Sequence, residues 1–150
     1  MDIIAELKEE HREIERELIE LETIMEEDVI NRANLVHTFK NLIKFWNSHE
    51  EKEELLFPVL EKTKENIRIP VGKMLLEHKE LRPHKEAMIS AIDSGSEYEI
   101  KNALEKNARV IILKLRAHID FEDEILYTSA SVEFGPDELE NLWAEMLNGK

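Results

Sequence analysis

Apolar residues recur every three or four positions in four long stretches of the chain, which is the spacing of one face of an α-helix. The first stretch covers residues 2–26, and the second runs from residue 32 to Phe57, where Pro58 is expected to end or kink the helix. The face of the first helix consists of Ile4, Leu7, His11, Ile14, Leu18, Leu21 and Met25. The face of the second consists of Leu35, Phe39, Leu42, Trp46, His49, Glu53 and Leu56. Each face is predicted to be buried.

The third helix is expected to begin near Ile69 and Pro70, with the proline in its first turn, and to end at residues 93–96. Pro83 lies inside this helix and should bend it. Its apolar face consists of Val71, Met74, His78, Leu81, Lys85, Met88 and Ile92. The fourth helix is predicted over residues 97–131. Its face consists of Ile111, Leu115, His118, Glu122 and Ile125, followed by Ser129.

A short fifth helix is expected to begin at Gly135, Pro136 and Asp137. Its apolar face consists of Leu139, Leu142, Trp143 and Met146. Four long amphipathic helices joined by short links predict an all-α fold, an up-down-up-down antiparallel four-helix bundle with a short C-terminal fifth helix. The chain has 150 residues, of which 42% are hydrophobic and 36% charged, and residues 1–150 are predicted to form a single domain.

The charge and composition of the chain exclude several classes of function. A formal net charge of −14 argues against binding to nucleic acid or to an anionic membrane, since both require a basic surface. No apolar run approaches the ~20 residues of a membrane span, and the first residues do not have the pattern of a signal peptide, so a cytoplasmic location is expected. The chain has no cysteine, which leaves histidines and carboxylates as its metal-binding groups.

Titratable residues lie within the faces that should be buried. The second and fourth helices each carry a histidine followed four residues later by glutamate, as His49 with Glu53 and His118 with Glu122. A spacing of four places both side chains on one helix face. A titratable group in a core is costly unless it is paired or bound to a metal. Two such pairs in the same register therefore indicate a site.

The first and third helices each add one histidine to the same faces. These are His11 and His78, whereas Glu15 and His37 fall beside their faces and are expected to lie nearer the surface. Alone, such a histidine is more often a core residue with a hydrogen-bond partner than a metal ligand. Together, four imidazoles and two carboxylates form a ligand set for two metal ions, and the absence of sulfur makes copper(I) or a structural zinc site less favoured. No histidine has a glutamate three residues before it, as ferritin-like bundles require.

The order of these residues resembles the hemerythrin-like, or HHE cation-binding, domains. That family has histidine on helix one, His-x-x-x-Glu on helix two, histidine on helix three, and histidine followed by a carboxylate on helix four. The resemblance covers the chain from His11 to Tyr127. It implies a non-haem centre of two iron ions, bridged by Glu53 and Glu122, with the histidines as terminal ligands. The implied metal ligands are His11, His49, Glu53, His78, His118 and Glu122.

Two positions depart from the oxygen-carrying hemerythrins. Those proteins have a further histidine four residues after the one on helix three, where this chain has Arg82. His84 lies six residues after His78 and is expected to point away, unless the proline between them turns it inward. The oxygen carriers also place their helix-four carboxylate five residues after histidine, which makes Asp123 a second candidate beside Glu122. These differences argue against a pure oxygen carrier.

Three functions follow from this interpretation. The first is a di-iron protein that binds or senses oxygen, nitric oxide, redox state or iron, with a small diatomic molecule or anion as the partner at the metals. The second is an enzyme that uses the same centre for detoxification of peroxide or nitric oxide, or for iron–sulfur repair. The third is a metal-free helical module that binds another protein.

Glu50 and Glu54 flank the first ligand pair and are expected to be solvated or to contact the ligands from outside.

Overall fold

The computed structural model describes residues 2–63 and 71–148, and all regular secondary structure within these ranges is helical. Helix α1 covers Ile3–Glu26, α2 covers Arg32–Thr63 and α3 covers Val71–Ser94. Helix α4 is continuous from residue 97 to residue 133. Helix α5 covers Pro136–Asn148. The predicted all-α class is therefore confirmed for the described residues, while the alternating direction of the helices stays a prediction.

Polar side chains begin three of these helices by accepting hydrogen bonds from otherwise unpaired backbone N–H groups. The Asp2 carboxylate accepts from the Ala5 N–H at 2.9 Å, and the Asn31 side chain accepts from the Asn34 N–H at 3.1 Å. At α4 the Ser96 hydroxyl accepts from the backbone of the third residue on, at 3.2 Å. Gly95, between α3 and α4, has a φ of 69°, a conformation that glycine adopts without strain.

Two prolines lie inside helices. Helix α2 continues through Pro58 to Thr63. The prediction that Pro58 ends the helix at Phe57 is therefore wrong, while a kink at Pro58 stays a prediction. A proline in a helix costs about 3 kcal/mol because it removes one hydrogen bond and crowds the preceding turn. Phe57 and Leu60 are both fully buried, and burial of side chains of this size offsets a cost of that order. Helix α3 likewise continues past Pro83, while its predicted start at residues 69–70 lies outside the described residues.

The predicted faces of the first three helices are buried with few exceptions. Every residue predicted for the α2 face is buried, from Leu35 to Leu56. On α1 and α3 the last positions differ, because Ile24 and Ala91 are buried while Met25 and Ile92 are partly buried against the same core. The spacing of apolar residues thus predicted the core of these helices to within one residue.

Helix α4 departs from α-helical spacing in two π-helical turns, Leu104–Ala108 and Glu122–Leu126. A π turn uses one more residue than an α turn, so residues that follow it are rotated relative to those before it. Ile125, predicted to be buried, is 46% exposed, whereas Leu126 and Tyr127 are fully buried. The prediction that the buried face continues through Ile125 and Ser129 is therefore wrong.

Two apolar clusters fill the core, and the predicted histidines and glutamates lie between them. On α1, Leu7 belongs to one cluster and Ile14 to the other, with His11 between the two. On α2, α3 and α4 the corresponding flanking residues are Trp46 and Leu56, Met74 and Leu81, and Leu115 and Leu126. Each long helix therefore contributes to a polar layer enclosed by apolar side chains. None of the described helices combines the length and apolarity needed to cross a bilayer.

Candidate metal centre

All six side chains predicted as ligands meet in the polar layer. Each residue is between 0% and 4% exposed. We call this set the His/Glu cluster; it consists of His11, His49, Glu53, His78, His118 and Glu122. Histidines arrive from all four long helices, and the carboxylates come from α2 and α4.

One half of the cluster, the His11/His49 side, joins these two histidines to both carboxylates. The Nε2 atoms of His11 and His49 lie 2.9 Å apart. His11 Nε2 is 3.0 Å from Glu122 Oε1, and His49 Nε2 is 3.2 Å from Glu53 Oε1. One ligand atom from each of these four residues falls within 4.8 Å of all the others.

The other half, the His78/His118 side, uses the same two carboxylates. His78 Nε2 lies 3.2 Å from Glu53 Oε1, and His118 Nε2 lies 3.4 Å from Glu122 Oε1. The two imidazole rings are 5.1 Å apart between centroids. These four residues again offer ligand atoms within 4.8 Å of one another. Glu53 and Glu122 therefore belong to two adjoining groups of four potential ligands.

The donor set and its spacing fit metal ions. Ligands at right angles around a metal with bonds of about 2.1 Å are about 3 Å apart, close to the distances within each group. Glu53 Oε1, His118 Nε2 and Glu122 Oε2 are buried without a hydrogen-bond partner. Buried polar atoms are ordinarily paired, so unpaired atoms that face one another need an explanation. A cation between them would satisfy these atoms together.

Carboxylates outside the cluster contact the outward nitrogen of three of the four histidines. His11 Nδ1 lies 2.8 Å from Asp123 Oδ1. In the same way, Nδ1 of His49 and of His118 lies 3.3 Å from Glu10 and from Glu77. A carboxylate at Nδ1 holds the ring with Nε2 directed inward and makes it a better ligand. Asp123, the second candidate on helix four, is thus a partner of His11 and lies outside the two converging groups.

The family comparison agrees with this geometry. The family model described as "Hemerythrin HHE cation binding domain" matches residues 2–130. The chain belongs to this family. Searches of curated proteins and of solved structures each returned no match. The resemblance inferred from the ordered histidines and glutamates is therefore confirmed, and metal binding is the property that the family name and the buried donor groups share.

In this hemerythrin-family chain, the buried charges shift one another's pKa values. Burial lowers the pKa of His49 and of His118, but the neighbouring carboxylates outweigh it, so that His49 lies well above its usual value and His118 rises to about 9. The pKa of His11 is raised in the same way, with Asp123 the strongest contributor after burial. Burial raises the pKa of Glu122, yet hydrogen bonds to the cluster hold it well below the usual value. Without metal, these carboxylates therefore favour the protonated forms of His11, His49 and His118.

A tyrosine that the sequence pattern did not indicate also reaches the cluster. The Tyr127 hydroxyl donates a hydrogen bond to Glu53 Oε2 at 2.6 Å and lies 3.2 Å from His49 Nε2 and 3.4 Å from His11 Nε2. Its ring stacks on the His11 ring, with centroids 5.2 Å apart. Burial, followed by the charges of Glu53 and Glu122, raises the pKa of Tyr127 well above its usual value. The residue escaped prediction because five positions separate it from Glu122, a spacing that is in register only across a π turn.

On helix α3, Arg82 and His84 contact side chains outside the cluster. Arg82 Nη2 contacts Glu50 Oε1 at 3.0 Å and Glu54 Oε1 at 2.8 Å, and its side chain is 44% exposed. His84 Nδ1 lies 2.9 Å from the side-chain oxygen of Asn107. The expectation that His84 points away is confirmed.

Four residues that were not predicted as ligands lie outside the His/Glu cluster. Glu50 is buried and lies 3.9 Å from His78 Nδ1, whereas Glu54 is exposed and 3.7 Å from the same atom. Glu15 forms an ion pair with Arg116 at 2.9 Å. His37 is exposed.

Proposed function

We propose that this HHE domain binds two iron ions in the His/Glu cluster and presents them to a small ligand such as oxygen or nitric oxide. The observation that supports the proposal is the pair of adjoining four-residue groups that share Glu53 and Glu122. Two carboxylates common to both groups can bridge two cations and offset their mutual repulsion. Each ion then has two histidines of its own.

Each kind of residue has a distinct task in this proposal. The Nε2 atoms of the four histidines would hold the ions, and the outer carboxylates would fix the orientation of His11, His49 and His118. Glu53 and Glu122 would supply carboxylate oxygens to both ions. Iron, when bound, supplies a redox-active centre with affinity for diatomic molecules. The apolar clusters on both sides of the layer limit the access of water to it.

We also propose the up-down-up-down arrangement of the four long helices. On α1 and α3 the chain passes from the cluster that contains Leu7 to the cluster that contains Ile14. On α2 and α4 it passes in the opposite order. Alternating direction accounts for this reversal and brings one inward histidine from each helix to the same height.

The ligand assignment is tested by four single substitutions. Glu53→Ala and Glu122→Ala should sharply reduce the iron bound per chain, because each removes an oxygen shared by both ions. Glu15→Ala and His37→Ala are controls that remove similar groups outside the cluster, and their iron content should stay near that of the unaltered protein. Iron should be measured by elemental analysis after reconstitution. Equal losses in all four variants would contradict the assignment.

The ligand-binding function is tested by spectroscopy of the iron-loaded protein. Azide with the ferric protein, and nitric oxide with the anaerobic ferrous protein, should each change the visible absorption spectrum. Because Arg82 replaces the histidine found in oxygen carriers, we expect exposure to air to oxidise the iron without long-lived oxygen carriage. Rapid consumption of peroxide or nitric oxide with an added reductant would favour the enzymatic alternative. A spectrum insensitive to azide and nitric oxide would contradict the proposed function.

A further inference from the structure

The two sides of the His/Glu cluster have different surroundings. On the His11/His49 side, the Tyr127 hydroxyl lies 2.6 to 3.4 Å from three potential ligand atoms, on Glu53, His49 and His11. Neighbouring ligand atoms around one metal are about 3 Å apart. The hydroxyl therefore stands where a further ligand of that ion would stand.

Tyr127 is held in this position by three constraints. The residue is fully buried within an apolar cluster. Its ring stacks on the His11 ring at an angle of 21° between the planes. Its hydroxyl donates to Glu53, and a hydrogen bond to a charged acceptor is among the stronger kinds. Moving the side chain aside would break this bond and open a gap in a packed core.

On the His78/His118 side, the described residues place no hydroxyl at the equivalent position. His118 Nε2 is buried there without a hydrogen-bond partner. Arg82, one turn after His78, extends outward to Glu50 and Glu54. Its outward position leaves this side without a fifth protein group among the described residues.

We infer that the small exogenous ligand binds on the His78/His118 side and that Tyr127 closes the His11/His49 side. The inference rests on the proposed function and specifies where in the centre a ligand of the class of azide or nitric oxide enters. It makes Tyr127 a specificity-determining residue, since its hydroxyl fills the position for a further ligand on one of two otherwise similar halves. It also gives the π turn before Tyr127 a role, because that turn directs the side chain inward.

The direct test is a crystal structure of the iron-loaded protein with azide. The inference predicts azide on the ion held by His78 and His118, with the Tyr127 hydroxyl still bonded to Glu53. Azide on the ion held by His11 and His49, or bridging both ions, would overturn it. Two bound irons without azide would overturn both this inference and the proposed function, so the two failures are distinguishable.

An azide titration of Tyr127→Phe tests the role of the hydroxyl. The substitution keeps the ring and vacates one position, so a second azide should bind per centre, where the unaltered protein binds one. Tyr98→Phe is the matched control, because Tyr98 is 79% exposed on the same helix. Iron content measured beside the titration shows that both ions remain. Unchanged azide stoichiometry in Tyr127→Phe with both irons retained would contradict the inference.

Discussion

At the scale of single residues, the cluster depends on side chains outside the six candidate ligands. The contact between His11 Nδ1 and Asp123, at 2.8 Å, is the shortest between a cluster histidine and an outer carboxylate. It fixes both the orientation of the ring and the nitrogen that carries the proton. Removal of such partners typically lowers metal affinity by about 10- to 100-fold.

Asp123→Asn should therefore weaken metal binding by about one to two orders of magnitude without abolishing it. The amide still accepts a hydrogen bond but no longer carries the charge that favours a strongly donating imidazole. Asp120→Asn, at an exposed position on the same helix, removes the same charge and is the control. Competition with a chelator of known affinity measures the difference. Equal affinities in the two variants would show that the Asp123 contact does not support the site.

The six cluster residues were predictable because each lies on a face that is otherwise apolar. A buried histidine or glutamate must be paired with another polar group or bound to a metal, so its position in the sequence pattern alone indicates a site. Tyr127 was not predictable in this way. A tyrosine in a core is ordinary, and its approach to His11 and Glu53 depends on a local change of helix geometry.

At the scale of helices, apolar spacing predicted α1 and the buried faces of α1, α2 and α3 well. It failed at the C-terminal end of α2 and after the π turn in α4. Pro58 does not end α2, because apolar residues continue on the same face beyond it. The turn Glu122–Leu126 is π-helical, and no residue within it has a propensity that indicates this. Its consequence is that Leu126 is buried while Ile125 is exposed.

The register after the π turn is tested by two alanine substitutions. Leu126→Ala should lower the free energy of unfolding by about 2–5 kcal/mol, the usual cost of truncating a fully buried leucine. Ile125→Ala should change it by less than about 0.5 kcal/mol, as is usual for exposed positions. Urea denaturation of the metal-free proteins measures both values. A larger loss for Ile125→Ala would mean that α4 keeps α-helical spacing through this segment.

At the scale of the whole molecule, the cluster links stability to pH. In the metal-free protein, histidines with raised pKa values stabilise the fold fully below about pH 6.5, the ordinary histidine pKa. That contribution is lost as the pH rises through the folded value, which is about 9 for His118. Glu122 has a lowered pKa, so its contribution is present above about pH 4.5 and is lost as the pH falls through its folded value.

The melting temperature of the metal-free protein and the increase that metal adds to it should therefore change with pH in opposite directions. Between about pH 6.5 and 8.5, the melting temperature of the metal-free protein should fall, because the unfolded chain loses its histidine protons in this range while the folded protein still holds those on His11, His49 and His118. Over the same range, the increase in melting temperature on addition of ferrous iron under anaerobic conditions should grow, because protons compete less for the imidazoles. Thermal unfolding followed by circular dichroism gives both values. A metal-induced increase that shrinks with rising pH would contradict histidine ligation.

The number of irons bound per chain tests the two-metal centre most directly. Metal-free protein should be titrated anaerobically with ferrous iron against a competing chelator, and the bound iron counted per chain. Two irons per chain are expected, and the double variant with Glu53→Ala and Glu122→Ala should not retain this pair. Saturation at one iron, or two irons that persist in the double variant, would contradict a centre built on the shared carboxylates.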